Sequence, residues 1–208
     1  ISGTVKETDT EADIVAASIA KNGSFAVATG SSKSYVSEVV FYSKDGVEKL
    51  HWYSSDILVM GISLRDDGRK MAVVGVQAKN GAMESRLLVF DTGSNKDPVK
   101  YTGTNVMLYQ VGFLSNGAIA AVGDTETWTV HTGSEKISKI QYADKKLIGC
   151  DFADSQVGLV LQTYGTTSGF TVLAVNKTGN QVYSIDFDEG FQSFSSCPGN
   201  RFFVLTDE

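Results

Sequence analysis

Five residues at matching places along the chain, Ser18, Ser63, Gly112, Asp151 and Ser196, form a column that is small and polar while its neighbours are apolar. Asp151 is the exception within it, a carboxylate that must be paired, hydrated or neutralised if it is buried. Two readings fit the column. Either strands converge there and leave room only for small side chains, or the groups line a central channel that holds water, an ion or a ligand. On the second reading Asp151, with Ser18, Ser63 and Ser196, is the candidate ligand site. A hydrolase or lyase working there would use Asp151 as an acid or base.

Other residue types that could carry chemistry are sparse. The only histidines are His51 and His131, and no three or four ligands have zinc spacing, so no metal site is assigned. No G-x-S-x-G nucleophile elbow occurs, and no catalytic residue is assigned. The run Asp186–Gly190 is too short for an EF-hand loop and reads as a solvated acidic connection. No cofactor motif is present, and none is expected. Cys150 and Cys197 fall in different columns of the pattern and read as two buried free thiols rather than a disulfide. Aromatics are more suggestive. Trp52 and Tyr53, beside His51, fall with Tyr101, Tyr142 and Tyr183 on fourth strands, and Trp128 on a third. Exposed Trp and Tyr favour protein or sugar contacts, which makes Trp52 and Tyr53 the candidate partner surface; packing between sheets is the competing use.

The elements that position these residues repeat. An apolar strand, a tight polar turn and a second apolar strand recur as SIAKNGSFAVATG, SLRDDGRKMAVVG, GFLSNGAIAAVG, DFADSQVGLVLQ and SCPGNRFFVLT. The aligned residues Ile19, Leu64, Phe113, Phe152 and Cys197 follow one another at 45, 49, 39 and 45 residues. A period near forty to fifty residues with several strands in each is the pattern of a β-propeller. Complete repeats over about 14–56, 57–105, 106–144 and 145–190 each read as four strands, and 191–208 as a partial fifth. The whole chain, 1–208, reads as one propeller domain, with an N-terminal strand and acidic linker over 1–13. Glycines such as Gly46, Gly93, Gly133 and Gly179 supply the turn before each fourth strand. The 3.6-residue period is missing, so no helix is expected. Ile1–Val5 is expected to pair with the fifth repeat and close a five-bladed ring; the alternative is a fragment of a larger propeller. Leu64, Phe113 and Phe152 are expected to be buried equivalents.

The four-stranded unit with a turn acid after its third strand, LLVFDTG at Leu87–Gly93, resembles degenerate WD-repeat-like propellers. The Gly-His and Trp-Asp signatures are absent, and Phe90-Asp91 stands nearest to the second. The hairpins at Lys44–Gly46 and Lys177–Asn180 are similar in style to those of exported or membrane-anchored bacterial propellers of unknown function. That resemblance implies an extracytoplasmic or cell-surface setting and a binding or scaffolding role. It carries over no functional residues.

Composition narrows the partners. Hydrophobic content of 42% and charged content of 20% belong to a folded chain. The net charge of −6, without any Lys/Arg run longer than a pair, argues against nucleic acid. No apolar run approaches the about 18 residues of a membrane span. The chain opens on Ile1 rather than Met, from which a removed signal peptide, an anchor or a trimmed terminus is expected upstream. The expected function is a non-enzymatic binding or scaffolding module with a protein or glycan partner. The alternative is a hydrolase or lyase with its site near Asp151.

Overall fold

The computed structural model describes residues 9–10, 12–134 and 136–207. The expected strand Ile1–Val5 and much of the acidic stretch over 6–13 lie outside them. The rest is almost wholly β. The first sheet is β1 (Ile14–Ile19), β2 (Phe25–Thr29), β3 (Ser37–Tyr42) and β4 (Glu48–Ser54). The second is β5 (Leu58–Leu64), β6 (Lys70–Lys79), β7 (Ala82–Asp91) and β8 (Val99–Thr104). The third is β9 (Leu108–Phe113), β10 (Ala118–Gly123), β11 (Glu126–His131) and β12 (Ile137–Gln141). The fourth is β13 (Lys145–Phe152), β14 (Gln156–Thr163), β15 (Phe170–Asn176) and β16 (Gln181–Phe187). The fifth is a pair, β17 (Phe191–Cys197) and β18 (Arg201–Thr206). Every sheet runs in chain order, strand beside next strand. Among the described residues the only helical piece is a 3-10 turn, Ser115–Gly117.

The chain forms two compact units, Ile1–Val111 and Gly112–Glu208. In the first, Ala26, Ala28, Val39 and Phe41 of the first sheet pack with Val59, Met71, Val73, Leu88 and Phe90 of the second. In the second, Ala118, Ala120 and Val122 pack with Val157, Leu159, Leu173 and Val175, and Val160, Phe170 and Val172 meet Phe191, Phe194 and Val204. The middle strands carry these cores because both their faces are covered, so they read as near-continuous apolar runs. Fourth strands are more exposed, and β1, β4 and β8 alternate between exposed and covered positions, whereas β13 is half-buried throughout.

Two details set the geometry of the first strands. Each of the four whose pairing is described carries a register shift near its start: Ile14/Ala16, Val59/Gly61, Leu147/Gly149 and Phe191/Ser193. Such bulges bend a strand and re-aim the side chains that follow. The hairpin turns then stack laterally. Asn22 Nδ2 donates to Asp67 O at 2.7 Å, and Asn200 Oδ1 accepts from Ser155 N at 2.8 Å. Gly68 fits beneath the first of these contacts: its φ is +70°, and a Cβ there would lie 2.6 Å from Asn22 Nδ2.

The expected row of buried equivalents is uneven. Leu64 is buried, whereas Phe113 and Phe152 are only half-buried; Ile19, at the aligned place in β1, is 74% exposed. Ile19 points away from the face that the first sheet packs on the second, whereas Leu64 belongs to that core.

Candidate functional site

The polar column lies on the bulged first strands, and three of its members, Ser18, Asp151 and Ser196, bind backbone. Ser18, on β1, accepts the N–H of Leu64 on β5 through Oγ at 3.0 Å. Ser63 is half-buried on β5, opposite Ala72 of β6. Asp151, on β13, accepts from its neighbour Phe152 N at 2.8 Å through Oδ1 and from Ser196 N on β17 at 2.6 Å through Oδ2. Ser196 answers by donating its Oγ to Phe152 O at 2.9 Å. Gly112 has no room for a side chain: a Cβ would sit 2.5 Å from Phe152 Cγ. Ser18 and Asp151 thus hold together neighbouring first strands, at separations of 46 and 45 residues. Cys150, beside Asp151, keeps a thiol rather than a disulfide, and burial followed by the Asp151 charge pushes that thiol up to about 12. Cys197 likewise makes no disulfide, and both cysteines are half-buried rather than the fully buried thiols expected.

The aromatic candidates separate. Trp128 is fully buried. Its Nε1 donates to Glu126 Oε1 at 2.7 Å, and Lys139 lies 4.8 Å over its ring while binding the same carboxylate at 2.8 Å. Burial pushes the Glu126 carboxyl up, but the Lys139 and Trp128 donors outweigh it and hold it below its ordinary value. Trp128 therefore serves the core.

Trp52 and Tyr53 are neighbours on β4 and point to opposite faces. Tyr53 is 57% exposed, its ring 6.0 Å from Tyr35 and 4.8 Å from His51. His51 sits between two carboxylates: Nε2 bonds Glu38 Oε1, and Nδ1 is 3.2 Å from Glu48 Oε1. Burial raises Glu38, yet hydrogen bonds from His51, Tyr35 and Thr29 overcome it and leave the carboxyl lowered. His131, in the second unit, is an exposed residue of β11. Among the described residues no group of three His, Cys, Asp or Glu side chains converges as a metal site.

Trp52, on the other face, packs edge-on against Phe90 at 5.7 Å and 70°. The two rings, with Leu50, floor a groove of about 330 Å³. One wall is a continuous run of β4, Glu48 to Trp52; the other is the β7–β8 connection, Ser94 to Pro98. β4 is the edge strand of its sheet, with β3 its one neighbour there. Residues 49–53 make no backbone hydrogen bond beyond that pairing among the described residues. Lys49, Asn95, Lys96 and Asp97 stand at the rim with no side-chain hydrogen bond or ion pair among the described residues. The 94–98 wall escaped the sequence reading because GSNKDP signals only a turn; the sole cue was its place opposite the Trp-bearing fourth strand.

Four four-stranded antiparallel sheets and a two-stranded one, each hairpin-connected in chain order, define a β-propeller. Solved structures agree on the fold. The β-propeller domain of the Trilobed protease from Pyrococcus furiosus matches with a TM-score of 0.60 at 11% identity, over 92% of this chain and 62% of that one. A eukaryotic initiation factor matches at 0.58 and 14%, over 97% and 51%. Prolyl oligopeptidase B from Galerina marginata matches at 0.57 and 10%, over 92% and 30%. The chain thus spans 30 to 62% of these proteins' lengths. No curated protein matches it in sequence. Over residues 1–208 it matches the family described as "Family of unknown function (DUF5711)", and it belongs to that family. No helix among the described residues is long and apolar enough to cross a membrane.

Proposed function

We propose that the chain is a non-enzymatic binding module whose partner docks in the groove between β4 and the 94–98 segment. The observation that carries this is the join of an apolar floor, Trp52 against Phe90, to a rim of unengaged polar side chains. Binding clefts combine apolar lining with a few polar groups, and about 330 Å³ is at the low end of their roughly 300–1,000 Å³ range. The hydrolase or lyase alternative draws no support from Asp151, since both its oxygens already accept backbone N–H groups. The extracytoplasmic setting implied by the resemblance belongs to the same proposal, and fractionation of cells making the full protein reads it.

A photo-crosslinking residue placed at Lys96 tests the groove in the intact protein in its own cell. The expected result is a discrete adduct that is lost with Trp52→Ala and absent when the crosslinker stands at Tyr164, an exposed site in the other unit. No adduct at Lys96, or the same adducts from both positions, overturns the reading. Circular dichroism of Trp52→Ala confirms that the variant is folded.

A further inference from the structure

Resting on that reading of the groove, we infer that its occupant is an extended peptide segment of a partner protein, which adds as a strand to the free edge of β4. Three observations converge on a peptide. First, one wall is five consecutive residues of an edge strand, Glu48 to Trp52. An unpaired strand edge offers a row of N–H and C=O groups that only another backbone matches at every step. Second, Leu50 and Trp52 are two residues apart and share the face that packs on the core, so a strand laid beside them meets apolar surface at alternate positions. Third, the Trp52 ring stands edge-on to Phe90 and is half-buried. A sugar would need a flat aromatic face open to solvent; an inserted Leu, Ile or Phe side chain needs only the cleft beside it. The rim supplies both signs, Lys49 and Lys96 with Glu48 and Asp97, which suits a backbone held at its dipoles more than a strongly charged ligand. The recognised segment is therefore short and extended, with apolar residues at every second position facing the groove.

The test uses a displayed library of short linear peptides, selected on the whole chain and counter-selected on Lys96→Trp, which fills the groove from an exposed position. Selected peptides should carry apolar residues at alternate positions and lose at least about tenfold in affinity on Lys96→Trp, or about 1.4 kcal/mol. The decisive measurement is N-methylation of each peptide amide in turn. Strand addition engages alternate amides, so the loss of affinity should recur with a period of two. Uniform tolerance of methylation overturns strand addition. Failure to enrich any groove-dependent peptide, while an oligosaccharide array gives a ligand lost in Lys96→Trp, overturns the peptide and leaves the groove as a binding site. Failure of peptides and oligosaccharides alike, with no adduct from the Lys96 crosslinker, overturns both readings.

Discussion

Asp151 Oδ2 accepts the backbone N–H of Ser196 at 2.6 Å, which ties the first strand of the fourth sheet to the first strand of the fifth. Ser18 does the same for Leu64 at 3.0 Å in the first unit. A charged residue at 151 is thus performing a task that serine performs at 18. The contact needs an acceptor rather than a charge. Asp151→Asn and Asp151→Ser should keep most of the stability, whereas Asp151→Ala strands the Ser196 and Phe152 N–H groups and should cost about 1–3 kcal/mol. Urea denaturation of the three variants checks the order. Equal losses for Asn and Ala would show that the charge matters more than the acceptor.

Gly112 is fixed by the ring of Phe152, which leaves no space for a β-carbon. Gly112→Ala should cost about 1–3 kcal/mol by overpacking. Phe152→Leu, combined with it, should recover part of the loss. A double variant as unstable as the sum of the two singles would place the strain elsewhere.

The repeat and its four-stranded hairpins are legible in the sequence because turn glycines and short Val/Ile runs are local signals, and a periodic array prints them several times. The small size of the column residues is legible for the same reason. Their partners are not. Nothing near Ser18 in sequence says that its hydroxyl reaches a backbone N–H 46 residues on, because that depends on how a bulge at Ile14/Ala16 aims the strand. Trp128 and Trp52 look alike as strand aromatics, yet one is sealed with Glu126 and Lys139 and the other borders a groove. Burial of an aromatic depends on what the next sheet lays over it, and the alternation within one strand does not encode that.

Cys150 should be chemically silent in the native protein. Burial and the neighbouring Asp151 charge push its thiol up to about 12, so almost no thiolate forms near neutrality, and thiolate is the reactive species. Iodoacetamide at pH 8 should leave Cys150 unmodified in the folded chain and modify it in guanidinium, as read by peptide mass spectrometry. Rapid native labelling would contradict this burial.

Glu126 makes stability depend on acid. Its folded carboxyl is lowered from an ordinary 4.5: burial opposes ionisation, but Lys139 and Trp128 donate to the charged form and prevail. The unfolded chain therefore binds a proton at a pH where the folded chain does not. The stabilisation from this group is fully present above about pH 4.5 and is lost as pH falls through the lower folded value. Glu126→Gln keeps an acceptor for Trp128 Nε1 but removes both the titration and the Lys139 ion pair. Its deficit against wild type should be largest near neutrality and should shrink as the medium is acidified below pH 4.5. Glu38, Asp67 and Asp91 are lowered too, so both proteins lose stability in acid, and the difference between them isolates Glu126. Lys139→Ala, which leaves the buried carboxylate with only the neutral Trp128 and Gln141 donors, should cost about 1–3 kcal/mol at pH 7 and show the same convergence in acid. A deficit that stays constant from pH 7 to pH 3 would mean that the Glu126 pair contributes through packing and not through its charge.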